Sequence, residues 1–224
     1  MAMIIEKVYV SGMKFIDEAI ESYCIQKSSK PSAVCEEIAT YTRANIPQSQ
    51  MLIGPMEASV LGSYIRAIRA KRILEFGTYT GYSALAMAEN LPDDGELVSL
   101  DVNEETSKLA RSFWDKSPDG KKIKNIVAPA LESLKTLNGK FDFVFIDADK
   151  ENYLAYLKAS LERLSEGGMI ALDNCLRNGK SIEEGFTDPG TEAIKECNLW
   201  IAQQSTLFSS LLPVRDGIFV VQRR

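Results

Sequence analysis

From residue 72 onward, apolar and polar positions follow two alternating patterns. Short apolar runs rich in β-branched and aromatic residues predict strands at residues 72–76, 96–100, 124–127, 142–146 and 169–172. Between the early runs, apolar residues recur at helical spacing and predict helices at residues 82–90, 104–115 and 152–164. Strands that alternate with helices form a mostly parallel sheet with helices on both faces.

The last part of the chain shows a different connection. Two further strands are predicted at residues 206–212 and 217–221, with only a turn containing Pro213 and Gly217 between them. A connection this short requires an antiparallel pair. Before these strands, residues 164–168 contain Gly167 and Gly168 and predict a helix stop ahead of the strand at 169. We therefore predict an α/β fold: a doubly wound, seven-stranded, mostly parallel sheet with a C-terminal antiparallel hairpin.

The first 70 residues are predicted to be helical instead, at residues 14–27, 32–45 and 57–70. We interpret residues 1–70 as a helical N-terminal cap on the α/β core of residues 71–224. A single α/β domain of 224 residues is an ordinary size, so we expect residues 1–224 to form one domain.

Composition excludes several kinds of active site. The chain has no histidine, which excludes a Ser-His-Asp triad, a Cys-His pair and a His-ligated zinc or iron site. Its four cysteines are scattered without a CxxC motif and predict free thiols in a reducing cytosol. No apolar run reaches the roughly 20 residues of a membrane-spanning helix, and no signal peptide is recognisable, so we expect a cytoplasmic protein without membrane contact.

A glycine-containing turn follows the first predicted strand. Gly77 and Gly81 lie in this turn, and a helix follows it, which is where a doubly wound sheet brings backbone close to a nucleotide-like ligand. Neither the dinucleotide fingerprint nor a P-loop is present. Asp101, at the end of the next strand, has the carboxylate that a ribose diol requires. An ordinary turn with a helix-capping Asp is the alternative, but Glu75, Gly77, Gly81 and Asp101 together favour a nucleoside site.

Polar side chains also follow two later strands. Asp147, Asp149 and Lys150 follow the strand at 142–146, and Asp173 and Asn174 follow the strand at 169–172. The carboxyl ends of parallel strands share one edge of the sheet, so these groups are expected to converge. Two carboxylates and an amide, from Asp147, Asp173 and Asn174, suit Mg²⁺, with Ca²⁺ or Mn²⁺ as alternatives. Helix capping explains a single Asp equally well, but not both clusters.

These groups suggest a chemistry. A divalent cation that binds both oxygens of a vicinal diol favours the ionised hydroxyl. Lys150 lies beside the predicted cation site and is the candidate to accept the proton, with Asp147 as the second catalytic residue.

Several segments resemble one enzyme family. The pattern of Glu75, Gly77, Gly81 and Asp101 resembles the S-adenosylmethionine site of class I methyltransferases. Residues 78–85, the Asp-Ala-Asp-Lys segment and the Asp-Asn pair resemble the bacterial branch of the cation-dependent O-methyltransferases, relatives of caffeoyl-CoA and catechol O-methyltransferases. The resemblance extends over residues 51–224. It implies a Rossmann-like fold, methyl transfer from S-adenosylmethionine to a hydroxyl of a catechol-like or other vicinal-diol molecule, and a homodimer.

The resemblance also implies individual roles. The implied cofactor residues are Ile53, Glu75, Gly77, Thr78, Ser83, Asp101, Ala130, Asp147 and Asp149. Asn178 and Arg177 are implied on the acceptor side, and residues 51–53 with Glu57 resemble a lid segment over the cofactor. Arg177 stands where the family often has Trp, and Arg215 stands where it usually has Gly. Two arginines would suit an anionic acceptor; we favour slightly the alternative that both are exposed, solubilising side chains.

Two other functions stay open. A hydroxylated tRNA base as acceptor would keep the chemistry, but the net charge of −5 weighs against binding to nucleic acid. A module that binds S-adenosylmethionine without transferring methyl is the other, and the intact predicted metal set with Lys150 weighs against it. A nicotinamide oxidoreductase is disfavoured because the dinucleotide fingerprint is missing.

Overall fold

The computed structural model describes residues 15–185 and 187–224. Within them, seven strands form one sheet in the order β3-β2-β1-β4-β5-β7-β6. The strands are β1 (Arg72–Phe76), β2 (Glu96–Asp101), β3 (Ile123–Val127), β4 (Phe141–Ile146), β5 (Leu164–Leu172), β6 (Leu207–Leu212) and β7 (Ile218–Arg223). The strands β1 to β5 pair in parallel, whereas β7 is antiparallel to both β5 and β6. The predicted α/β fold is confirmed.

The strand order creates a crevice beside β1. This strand pairs with β2 on one side and with β4 on the other, so that Phe76 lies next to Leu100 and Ile146. The chain therefore leaves β1 and β4 in opposite directions along the sheet, and ligands of doubly wound sheets bind at such a switch point. The ends of β1, β4 and β5 lie side by side there, directly before Gly77, Asp147 and Asp173.

Helices cover both faces of the sheet. They are α1 (Glu18–Lys27), α2 (Ala33–Asn45), α3 (Pro55–Ala67), α4 (Tyr82–Ala88), α5 (Glu104–Trp114), α6 (Ala130–Thr136), α7 (Tyr153–Arg163) and α8 (Pro189–Gln203). Alternate side chains of each strand point to opposite faces. One face, with Ile73 and Phe143, packs against α2 to α5, and the other, with Leu74 and Val144, packs against α6 to α8.

The N-terminal helices share the core of the sheet. Ile38 of α2 and Leu61 of α3 are fully buried in the same apolar cluster as the strand side chains of that face. Thr42 of α2 donates a buried hydrogen bond of 2.9 Å to Thr80 in the turn after β1. The predicted cap is therefore bound to the glycine-containing turn. No helix among the described residues combines the length and the apolarity that a membrane span requires.

Several element predictions need correction. Helices α6 and α8 were not predicted, although Asp188 caps α8 by accepting from the backbone of Thr191. The predicted strand start at residue 169 is wrong: α7 ends at Arg163, and β5 already begins at Leu164, with a register shift on β4 opposite its start. The predicted helix at 57–70 occupies Pro55–Ala67. The predicted start of the first helix, Lys14, lies outside the described residues.

Candidate active site

A cavity of about 1210 Å³ opens at the carboxyl ends of the parallel strands. Of the residues predicted for the site, Glu57, Glu75 and Gly81 do not line it. Those that do are Ile53, Gly77, Thr78, Ser83, Asp101, Ala130, Asp147, Asp149, Lys150, Asp173, Asn174, Arg177 and Asn178. The topology explains why residues from Gly77 to Asp173 meet there, since the turns after the parallel strands β1 to β5 all face the same crevice. Their individual roles stay predictions.

The turn after β1 requires its glycines. Gly77 has φ +98°, and a Cβ atom at this position would lie 2.2 Å from the backbone oxygen of Asp147. Gly81 has φ +87°, and a Cβ there would lie 2.6 Å from the indole nitrogen of Trp114. Close backbone contact at Gly77 thus joins the glycine-containing turn directly to the start of the carboxylate cluster.

Asp101 organises this turn. Its Oδ2 accepts hydrogen bonds from the backbone amides of Thr78 (2.8 Å) and Tyr79 (2.9 Å), and its Oδ1 accepts one from Asn103 (2.9 Å). An ionised carboxylate offers about four acceptor positions, so a further bond to a ribose hydroxyl remains sterically and chemically compatible. The alternative of a helix-capping Asp is wrong, because Asn103 caps α5 and no side chain caps α4.

Glu75 is a predicted cofactor residue that does not line the cavity. It is fully buried in β1, where Oε1 accepts from the hydroxyl of Ser83 and Oε2 from that of Ser99, each at 2.5 Å. Burial raises the pKa of Glu75 to about 8, although the two serine hydrogen bonds favour its ionised form. Glu75 therefore supports the cavity wall from behind, through Ser83, and its predicted contact with the cofactor stays a prediction.

Lys150 is held between two oxygen atoms. Its Nζ donates to Asp147 Oδ1 at 2.9 Å and to the hydroxyl of Tyr153 at 2.6 Å. Tyr153 is fully buried and packs in the apolar core, and its hydroxyl also positions the amine. Sequence reasoning missed this second role, which the three-residue spacing from Lys150 to Tyr153 at a helix start suggests.

Asp173 is a buried carboxylate beside another one. Its side chain accepts from the backbone amide of Asn174 at 2.6 Å. Burial, and then the charge of Asp147, raise the pKa of Asp173 to about 7. A bound cation would relieve this repulsion, so the donor set of two carboxylates and the Asn174 amide fits a hard divalent ion. No group of three or more acidic or cysteine side chains suited to a metal occurs among residues 15–185 and 187–224.

A third carboxylate acts on this pair through its charge, without completing a metal-binding group of three acids in the described part of the chain. Glu57, in the first turn of α3, is fully buried and forms an ion pair of 3.0 Å with Arg215. Burial, and then the charge of Asp173, raise its pKa well above the usual range. Its Oε1 is buried without a hydrogen-bond partner among the described residues. Sequence reasoning placed Glu57 only in a lid segment, because its partner is 158 residues away.

The interpretation of Arg177 and Arg215 as exposed, solubilising residues is wrong. Their side chains are only 26% and 29% exposed, and both line the cavity. Arg177 pairs with Asp188 at 3.3 Å, as Arg215 does with Glu57, so a neighbouring acid balances each charge. Asp216 was missed from the sequence; it also lines the cavity, and it accepts a hydrogen bond from the backbone amide of Asn178.

Comparisons with known proteins give the family. The model of the O-methyltransferase family matches residues 25–224. A probable caffeoyl-CoA O-methyltransferase 2 of Dictyostelium discoideum is 32% identical and is aligned over 92% of each chain. A caffeoyl-CoA O-methyltransferase of Petroselinum crispum is 33% identical over 92% of this chain and 91% of the relative.

A solved structure agrees with the sequence matches. The SAH-bound methyltransferase PaMTH1 of Podospora anserina superposes with a TM-score of 0.84 at 29% identity, over 92% of this chain and 94% of that one. The fold, the residues that line the cavity and the relatives all indicate the same family. The chain belongs to the O-methyltransferase family and is an S-adenosylmethionine-dependent O-methyltransferase.

Proposed function

We propose that this enzyme methylates a hydroxyl of a catechol-like or other vicinal-diol small molecule, with a divalent cation, Mg²⁺ first, held by Asp147, Asp173 and Asn174. The observation that carries the proposal is the presence of these three oxygen donors and Lys150 on one cavity wall. The mutual repulsion of Asp147 and Asp173 supports it, because a cation is the simplest compensation for two partly desolvated carboxylates.

In this proposal each residue has a defined task. A cation bound there would favour the ionised form of the acceptor hydroxyl. Lys150 receives the proton released by that hydroxyl, and Tyr153 and Asp147 hold its amine in place. The cavity holds the acceptor oxygen near the sulfonium methyl group, so the chain contributes mainly proximity and orientation.

The acceptor is proposed to be a small molecule and not a nucleic acid. The net charge of −5 would repel a phosphate backbone. The two cavity arginines are balanced by Glu57 and Asp188, so they do not form an exposed cationic surface.

Methyl transfer to caffeate and other catechols tests the proposal, with labelled S-adenosylmethionine, after EDTA treatment and after Mg²⁺ is restored. We expect activity only with Mg²⁺, and loss of both activity and Mn²⁺ binding in Asp147→Ala. Asp94→Asn is the control, since Asp94 is exposed and pairs with Lys71, away from the cavity. Activity that survives EDTA would contradict the proposed need for a divalent cation. Activity in Asp147→Ala would contradict the assignment of Asp147 to the active site.

A further inference from the structure

Arg215 connects two distant parts of the chain at the cavity. It lies in the turn between β6 and β7, and its Nη1 donates to the backbone oxygen of Leu52 (3.2 Å) and to Oε2 of Glu57 (3.0 Å). A Cβ atom on Gly54 would lie 3.8 Å from three atoms of the arginine side chain. Arg215 therefore lies along the lid segment, which we define as residues 51–57.

The ion pair within this contact is not an ordinary surface pair. Glu57 is fully buried, and its other oxygen has no partner among the described residues. A buried carboxylate that loses its counter-ion is left with an uncompensated desolvation cost, whereas exposed pairs contribute little. Removal of Arg215 would therefore leave Glu57 buried without its cationic partner.

The backbone of Arg215 shows the same constraint. Its φ is +49°, in the left-handed region that residues other than glycine rarely adopt. Such a conformation persists only where surrounding contacts hold it. The backbone amide of Gly217 closes the turn around Arg215 by donating to the carbonyl of Val214 at 2.9 Å, and the side chain of Arg215 adds its contacts with Leu52 and Glu57.

The lid segment in turn forms part of the cavity. Leu52 and Ile53 line it, and both are almost completely buried. The lid segment begins at the last residue of a short 3₁₀ turn, Ser49–Met51, and ends in the first turn of α3. Arg215 donates hydrogen bonds both to the backbone of this segment, at Leu52, and to the side chain of Glu57.

We propose that Arg215 is a positioning residue for S-adenosylmethionine: it fixes the lid segment against the cavity, so that Leu52 and Ile53 close over the bound cofactor. Release of Arg215 leaves the cofactor cavity open at this wall and weakens cofactor binding. The proposal rests on the S-adenosylmethionine dependence of the enzyme and not on the proposed cation or catechol.

Calorimetric titration with S-adenosylmethionine tests this, in EDTA and without acceptor, so that failure of the cation proposal has no influence on the result. We expect Arg215→Gly to raise Kd roughly tenfold, the loss of about one charged hydrogen bond. Arg215→Lys should restore part of the affinity, because an ammonium group still pairs with Glu57. In steady-state assays, KM for S-adenosylmethionine should rise with Kd, while kcat at saturating cofactor changes less.

A matched control distinguishes the loss of the Arg215 side-chain contacts from the effect of placing glycine at a residue with positive φ. Arg69 also has a positive φ, +54°, but it is exposed and does not line the cavity. Arg69→Gly should therefore leave Kd within twofold of the wild type. If Arg215→Gly behaves like Arg69→Gly, the proposal is wrong.

A double-mutant cycle covers the case in which Arg215→Gly fails to fold. Glu57→Gln and Arg215→Gln, singly and combined, report the coupling of the two side chains in cofactor Kd. We expect the double variant to be weakened less than the product of the two single effects. Independent effects, or no effect of either single variant, would overturn the proposal.

Discussion

Replacement of Glu75 by glutamine should make the protein less sensitive to alkaline pH. Glu75 is fully buried, and burial raises its pKa from 4.5 to about 8. At neutral pH the folded protein therefore holds a protonated side chain, which glutamine copies in shape and in its ability both to donate and to accept. The hydroxyls of Ser83 and Ser99 remain available as partners in the variant.

The magnitude follows from proton linkage. Between pH 4.5 and about 8 the unfolded Glu75 is ionised while the folded one keeps its proton, so the wild type loses stability as the pH rises. Each pH unit in this window costs about 1.4 kcal/mol. From pH 5.5 to 9, the free energy of unfolding of Glu75→Gln should therefore gain about 3 kcal/mol relative to the wild type.

Urea unfolding of both proteins at pH 5.5, 7 and 9, without ligands, measures this difference. Asp173 and Glu57 also have raised pKa values and therefore contribute to the pH dependence of stability. These contributions occur in both proteins and cancel in the comparison. We expect the two stability curves to diverge as the pH rises. Curves that stay parallel over this range would refute an elevated pKa at Glu75. Curves that diverge towards acid pH would show that folding lowers this pKa instead of raising it.

Three further predictions concern single side chains. Tyr153→Phe removes the 2.6 Å partner of Lys150 and should lower kcat about tenfold in a methyl-transfer assay; an unchanged kcat would show that Asp147 alone positions the amine. Asp173→Asn should weaken Mg²⁺ binding at least about a hundredfold by calorimetry, because it removes one of two carboxylate donors; equal affinity would exclude Asp173 as a ligand. Gly81→Ala should lower the free energy of unfolding by about 2–4 kcal/mol, since its Cβ would collide with Trp114; a urea midpoint equal to that of the wild type would contradict this.

The parallel strands could be predicted because they are buried on both faces. Residues 143–146 of β4 are completely buried, and such strands appear in the sequence as continuous apolar runs. Helix α6 has only seven residues and few apolar positions, so its sequence lacks a helical period. Helix α8 does bury Ile194, Cys197 and Ile201 at helical spacing, so its sequence carries a recognisable helical signal.

The site could be predicted wherever a residue directly follows a strand. Asp147 and Asp173 needed only the strand ends and the rule that parallel strands share an edge. Glu75 lies inside a strand, and its side chain points to the face covered by α4, where it meets Ser83. The partner of Arg215 depends on how the N-terminal helices pack on the sheet, and no local pattern encodes a contact across 158 residues.

The position of β7 has a consequence for the order in which the molecule is built. This strand comes after β6 in the chain but lies between β5 and β6 in the sheet. During synthesis, β5 therefore keeps an unpaired edge until residues 218–223 have left the ribosome, and an unpaired edge is prone to association with other chains. Asp173 and Asn174, at the end of β5, acquire their final surroundings only at that late stage. A nascent chain stalled before β7 should therefore expose the unpaired edge of β5 and need a chaperone to prevent pairing with other chains.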